Sequence, residues 1–444
     1  MTQLESEDAI KLFNQGLEQI QAGNALAALD YFDNALAINL HEPKIWEKRA
    51  VALQNLGRYV EAIASNNMAL SFYSAKLKVY DAQGWFNQGN QRYITGNLLG
   101  AIAAYDKAIE IQPEHYEAWY NRGVVCEKLE RYEEAIASYD NAIQVKPDYY
   151  EAWYNRGVAL GSLGQYQQAL ASLDNAIQVK PNFHEAWYNR GVVLGHLGFI
   201  QEALACFDKA IEFKPNDYDA WNNRAVALGN LGRYEEALTS LDKAVELKPD
   251  YYEVWNNRGV ALRKLGRYEE ALTSFDKTIE FKVDDYEAWN NRAMVLRKLG
   301  SLEEALTSLD KAVEFKADDY EAWNNRGMVL RKLGSLEEAL ISFDKAVELK
   351  PDFYQAWYNR GVALGNLGRY QQALACFDKA VEFKPDFYQA WNNRGFALKN
   401  LGRYEEAIVS YDRALQIKPD FQEALNSRRV ALLNLKPDEK AIAS

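Results

Sequence analysis

EAWYNRGVVLGHLG, residues 185–198, sets Trp187, Asn189 and Arg190 side by side in what reads as a helix. The Asn is an awkward choice there, since it disfavours a helix by roughly half a kcal/mol against Ala. One such Asn could be an accident. The chain writes nearly the same line again as EAWYNRGVVCEKLE, EAWYNRGVALGSLG, DAWNNRAVALGNLG and EAWNNRAMVLRKLG. The recurrence makes the period of the chain the first quantity to establish.

All eleven tryptophans keep one register: Trp46, Trp85, Trp119, Trp153, Trp187, Trp221, Trp255, Trp289, Trp323, Trp357 and Trp391. From Trp85 onward every interval is 34 residues, and the first is 39. With Trp numbered as position 4, twelve full units run from about residue 9 to 421, and a truncated thirteenth follows.

Residues 184–217 show how one unit is built. The pattern predicts a first helix, A, over about His184 to Leu197, ending at Gly198, which tolerates the positive φ of a helix end. A second helix, B, is predicted over about Ile200 to Phe213, closed by Lys214-Pro215 because Pro cannot continue a helix. Trp187, Leu194 and Leu197 share one face of A, and Ala203, Phe207, Ala210 and Ile211 one face of B. Gly191 and Ala203 are small where the helices should touch. No unit can bury its own stripe alone, so neighbours must stack into a continuous core.

Trp187, Gly191, Leu194, Ala203, Phe207, Ala210 and Pro215 stand at the spacing of the tetratricopeptide repeat (TPR), and the chain resembles that family over almost its whole length. The WYNRG and WNNRG units look particularly like those of cyanobacterial proteins. The resemblance implies an all-α, right-handed superhelical solenoid of 34-residue helix-turn-helix units. It also implies a concave groove, lined by the A helices, that binds peptide segments of other proteins.

Several units depart from the pattern. The second has Asn66 where an aromatic is expected and Lys48 where others have Asn, and five extra residues follow it near SAKLKVYDAQG. This insertion should lengthen a helix or loop and change the stacking angle. We therefore expect an N-terminal pair over 1–81, ten contiguous repeats over 82–421, and a C-terminal capping helix and tail over 422–444. Arg428 and Arg429 make that last helix read as a polar end cap. Val283 and Ala317 replace the family Pro, so those two junctions should be straighter or more mobile. Repeats nine and ten differ at only six positions, the mark of a recent duplication.

Position 6 carries Asn in ten consecutive units: Asn87, Asn121, Asn155, Asn189, Asn223, Asn257, Asn291, Asn325, Asn359 and Asn393. Positions 2, 5, 6, 9, 12 and 13 share a helix face, while the core uses 4, 8 and 11. A primary amide both donates and accepts, so a row of them at repeat spacing could hold an extended chain by its main chain. In related TPR superhelices an Asn at this position makes such contacts. The other reading is that each Asn bonds the neighbouring A helix and holds the stack together.

Position 9 adds an apolar strip (Val260, Met294 and Met328 among others), and position 5 changes from Tyr in Tyr120, Tyr154 and Tyr188 to Asn in five later units. Position 2 is acidic from Glu117 to Glu321. Positions 12 and 13 become Arg263-Lys264, Arg297-Lys298 and Arg331-Lys332 in three adjacent units, a basic patch on a chain of net charge −12. It could take an acidic segment, a terminal carboxylate or a phosphate. Alternatively it neutralises Glu269-Glu270, Glu303-Glu304 and Glu337-Glu338. Arg at position 7, from Arg122 to Arg428, and Asp at position 25, from Asp106 to Asp412, recur together and read as a structural ion-pair series.

The remaining features narrow the function class. Cys126, Cys206 and Cys376 read as small buried hydrophobes in a reducing, cytoplasmic compartment. The N-terminus MTQLESEDAI is acidic and predicts no secretory signal, and no apolar run is long enough to span a membrane. The acidic balance disfavours nucleic acid. Four histidines form no ligand cluster, so neither metal nor cofactor is expected. Paired glutamates such as Glu133-Glu134 open B helices and suit the helix dipole there, and no residue set resembles catalytic machinery. The expectation is a non-catalytic scaffold that binds an extended partner segment. The alternative is a module for assembly or self-association through its edges or convex face.

Overall fold

The computed structural model describes residues 3–76 and 81–435. Among these residues there are twenty-five α-helices and no strand. They run as A/B hairpins in chain order, each helix packing chiefly on its sequence neighbours. The two helices of the sixth unit are His184–His196 and Ile200–Phe213. Between them Gly198 takes φ +82°, and Phe199 N–H closes the turn on Leu194 C=O at 2.9 Å. In the fourth unit the same place is held by Glu130 at φ +58°, the one non-Gly residue with positive φ among the described residues.

Two compact groups of helices divide the chain, Met1–Ala227 and Leu228–Ser444. In the first, Phe32, Leu53, Tyr105 and Tyr139 lie in one buried cluster. In the second, Phe343, Leu364, Phe377, Leu398 and Tyr411 do the same.

Gly191 at position 8 makes room for the Phe207 ring rather than for Ala203, while Gly157 at the same position meets Leu173 and the Ala169 carbonyl. A Cβ added to Gly191 would lie 2.7 Å from the Phe207 ring, and one on Gly327 would lie 2.6 Å from that of Phe343. Where helix B supplies Leu241 or Leu309 instead of a ring, position 8 is Ala225 or Ala293. From Trp119 to Trp391 each Trp is fixed by its indole N–H, which donates to the carbonyl at the preceding junction, as Trp187 does to Pro181 at 2.8 Å.

The junctions without Pro keep this geometry, contrary to the expectation of a straighter link. Trp289 donates to Val283 at 2.8 Å and Trp323 to Ala317 at 2.9 Å. Asp285 and Asp319 cap the following helices by accepting from the Ala288 and Ala322 amides, as Asp217 does for Ala220 at the junction that keeps Pro215.

Helix B of the second unit extends over Tyr59–Lys76, longer than the 14-residue B helices elsewhere, and residues 77–80 of the insertion lie outside the described residues. Asn66 is buried and accepts from Asn97 at 3.3 Å, a polar contact in place of the expected ring. The last helix, Gln422–Leu435, differs from a purely polar cap: Leu425, Val430, Leu432 and Leu433 are exposed beside Arg429. Residues 436–444 of the tail lie outside the described residues.

Candidate functional site on the A-helix face

The Asn row is tied into the stack. Asn155 Nδ2 donates to Tyr120 Oη at 3.0 Å, Asn189 to Tyr154 at 2.9 Å and Asn223 to Tyr188 at 2.8 Å. In two units with Asn at position 5 the acceptor becomes its Oδ1: Asn325 donates to Asn290 and Asn359 to Asn324, both at 3.0 Å. Asn393 returns to a tyrosine, Tyr358, at 3.2 Å, and Asn121 reaches Asn90 Oδ1 at 2.9 Å. Tyr and Asn at position 5 are thus two forms of one acceptor. Burial pushes the Tyr154 and Tyr188 hydroxyls up to about 12, so both stay protonated and accept through an oxygen lone pair. Each such Asn spends one amide hydrogen in this way, and Asn189 spends its second on the Glu185 carbonyl at 3.0 Å.

The Arg series at position 7 bridges units. Arg326 Nε meets Asp310 of the preceding unit at 2.7 Å, and its Nη1 donates to Ser342 of its own helix B at 2.8 Å. Arg156 does the same with Asp140 and Ser172, both at 2.6 Å. Two of the cysteines belong to this device. Arg190 donates to Cys206 Sγ at 3.0 Å and Arg360 to Cys376 at 2.9 Å, where other units have Ser. They are buried, as expected, but they serve as acceptors rather than only as small hydrophobes. Burial outweighs the nearby guanidinium and pushes both thiols up, so neither is an activated thiolate.

Position 12 of units eight to ten behaves differently. Arg263, Arg297 and Arg331 are half-buried, and among the described residues none of them is paired with a carboxylate. Arg263 Nε and Arg331 Nε are enclosed with no hydrogen-bond partner, and Arg297 Nη1 rests on Met328 Sδ at 3.6 Å. Desolvation lowers the pKa of all three, and the neighbouring Arg331 lowers that of Arg297 further. Glu270, one of the carboxylates that could have compensated them, is taken by Arg267 at 2.6 Å. Lys264, Lys298 and Lys332 stand exposed beside the arginines.

At the other end of the same helices, Glu253, Glu287 and Glu321 are exposed. Tyrosine hydroxyls hold them: Tyr251 and Tyr252 on Glu253 at 2.7 and 3.1 Å, Tyr286 on Glu287 at 2.9 Å and Tyr320 on Glu321 at 3.3 Å. A cavity of about 370 Å³ opens there between the A helices of units eight and nine, lined by Glu253, Asn256, Asn257, Asp284 and Glu287 among others. The Asn256 carbonyl oxygen is buried at this place without a partner. Among the described residues no group of three His, Cys, Asp or Glu side chains could hold a metal ion.

A sequence profile described as Tetratricopeptide repeat matches residues 116–149, 150–183, 184–217, 320–353, 354–387 and 388–421. Another of the same description matches 13–76, 222–284 and 258–319, and one described as TPR repeat matches 89–129. The chain belongs to the tetratricopeptide repeat family. Among solved structures it is similar to YrrB, described as a TPR protein with an unusual peptide-binding site. The identity is 33% over 41% of this chain and 95% of that one, with a TM-score of 0.36. MamA is 26% identical over 36% of this chain and 94% of that one, with a TM-score of 0.36. A tetratricopeptide repeat protein from Parabacteroides merdae is 20% identical over 56% and 98%, with a TM-score of 0.46. No match is found among curated proteins. Among the described residues of this TPR chain, no helix is long and apolar enough to cross a membrane.

Proposed function

We propose that this TPR protein is a non-catalytic interaction scaffold whose A-helix face in units eight to ten holds an anionic segment of a partner protein. The observation that carries the reading is the row Arg263, Arg297 and Arg331. A half-buried guanidinium without an anion is costly, and a chain evolving for stability alone would pair it or replace it. Three in successive units, one beside a polarisable Met, form a preformed row of donors that the oxygens of an incoming carboxylate or phosphate would satisfy. The exposed lysines Lys264, Lys298 and Lys332 add long-range attraction at the rim.

The Asn row takes a supporting part in this reading. In it the amides of Asn257, Asn291 and Asn325 supply polar contacts beside the arginines. Segmentation into 1–81, 82–421 and 422–444, and a cytoplasmic location, belong to the same proposal. The test compares the full chain with the Arg263→Ala/Arg297→Ala/Arg331→Ala variant on an array of acidic, phosphorylated and neutral peptides. Binding of acidic or phosphorylated peptides by the parent, lost in the variant, is the expected result. Equal binding by both chains would remove the site.

A further inference from the structure

The same three A helices carry two rows of charge with opposite sign. Glu253, Glu287 and Glu321 lie at position 2, exposed and held by the hydroxyls of Tyr252, Tyr286 and Tyr320, to which Lys282, Lys316 and Lys350 donate from behind; among the described residues none of the three glutamates is in a direct ion pair. Arg263, Arg297 and Arg331 lie at position 12 and have no carboxylate partner among the described residues. Ten residues of helix separate the rows, about 15 Å along each axis. Between them run Val260, Met294 and Met328, partly buried, with Met328 touching the basic row through Arg297 at 3.6 Å. The face is therefore striped as acid, apolar and base, and the stripes run across three adjacent units.

From this juxtaposition, and resting on the reading above, we infer that the occupant is an α-helix with an acidic flank, an apolar ridge and a basic flank. Width decides between helix and strand. An extended chain occupies a lane of about 5 Å, so laid along the arginines it would leave the glutamates unmet. A helix with its side chains is about 10–12 Å across, and Lys and Glu side chains on its two flanks reach both rows at once. Length agrees as well: packed helices lie about 8–10 Å apart, close to the roughly 10.5 Å between residues i and i+7 of a helix. One acidic residue per seven would thus meet one arginine per unit. The floor suits a ridge of this kind, because Met adapts its shape to helical side chains of differing size. Asn325 spends one of its two amide hydrogens on Asn290, which leaves a strand's main chain fewer fixed donors at that unit.

The test uses a fluorescent 21-residue peptide with Glu on one flank, Lys on the other and Leu/Met on the ridge, each every seven residues. Anisotropy is read against the full chain at low salt. One control peptide carries two central prolines, and another has Gln for Lys. The expected result is saturable binding, weakened at least tenfold by the prolines, by the Gln flank, by Glu253→Gln/Glu287→Gln/Glu321→Gln and by Arg263→Gln/Arg297→Gln/Arg331→Gln. Circular dichroism checks that each variant folds, and the single Arg297→Gln and Glu287→Gln changes replace any triple variant that does not. If the proline peptide binds as well as its parent, or the Glu-row variant loses nothing, the helical occupant is wrong while the anionic site stands. Binding unchanged in the Arg-row variant overturns both readings, and no binding by the parent peptide overturns the helix.

Discussion

Asn189 Nδ2 donates to Tyr154 Oη at 2.9 Å, across the boundary between two units and thirty-five residues back along the chain. Asn325 makes the same link to Asn290. Helix propensity argues against Asn at position 6, and this bond between neighbours is what offsets it. Asn325→Ala should therefore lower stability by about 1 kcal/mol, the usual net value of a lost hydrogen bond between partly buried groups. The urea midpoint of the full chain measures it, and a midpoint shifted upward would leave the Asn with no part in the stack.

Repeats nine and ten contain a natural exchange of Ala293 with Leu309 for Gly327 with Phe343. Gly327→Ala should be destabilising by about 1–3 kcal/mol, because its Cβ meets the Phe343 ring. Adding Phe343→Leu should recover part of that loss, with a coupling of at least about 1 kcal/mol between the two changes. Additive effects in a double-mutant cycle would show that the two positions do not share this space.

Glu130 sits in the turn of the fourth unit at φ +58°, where most other units have Gly. A left-handed conformation costs a residue with a Cβ about 1–2 kcal/mol, so Glu130→Gly should raise the thermal midpoint. Part of the gain is cancelled by the greater freedom of Gly in the unfolded chain. A fall in the midpoint would mean that the glutamate side chain contributes more than its backbone costs.

Glu127 accepts a hydrogen bond from Tyr139 at 2.8 Å, and burial raises its pKa above the ordinary value of 4.5. The folded state then holds this proton more tightly than the unfolded chain does. The stability due to this group is full below the ordinary value and falls as pH rises through the raised one. Glu127→Gln keeps an acceptor for Tyr139 and removes the titration. The difference in stability between the variant and the parent should therefore grow with pH across that interval, as read from urea midpoints at a series of pH values. A constant difference would show that the carboxyl titrates normally.

Much of the fold was legible in the chain because one period repeats in Trp, Gly and Pro. Helix B of the sixth unit, expected over Ile200 to Phe213, has those bounds. What escaped depended on partners distant in sequence. The change at position 5 from Tyr to Asn was visible, but nothing in a single unit shows that Tyr154 faces Asn189 of the next. Cys206 and Cys376 read as filler, although they occupy the Ser position of other units; that alignment was the available signal. The basic patch was visible as composition. Whether Arg263, Arg297 and Arg331 met Glu269-Glu270 and their counterparts was not, since a residue's ion partner is set by side-chain direction rather than by proximity along the chain. At Val283 and Ala317 the missing Pro read as a straighter link, whereas the Trp289 and Trp323 indoles keep the junction contact without it.

The arginine at position 7 couples the fate of adjacent hairpins. When helix B carrying Asp310 melts, Arg326 in the next hairpin loses its counter-ion, and when Arg326 departs, Ser342 loses a donor as well. Damage at one place is thereby passed to a neighbour instead of being contained. A short excised fragment would begin with an orphaned guanidinium, so the molecule should resist fraying in proportion to the number of hairpins it keeps, as a chain of coupled neighbours does.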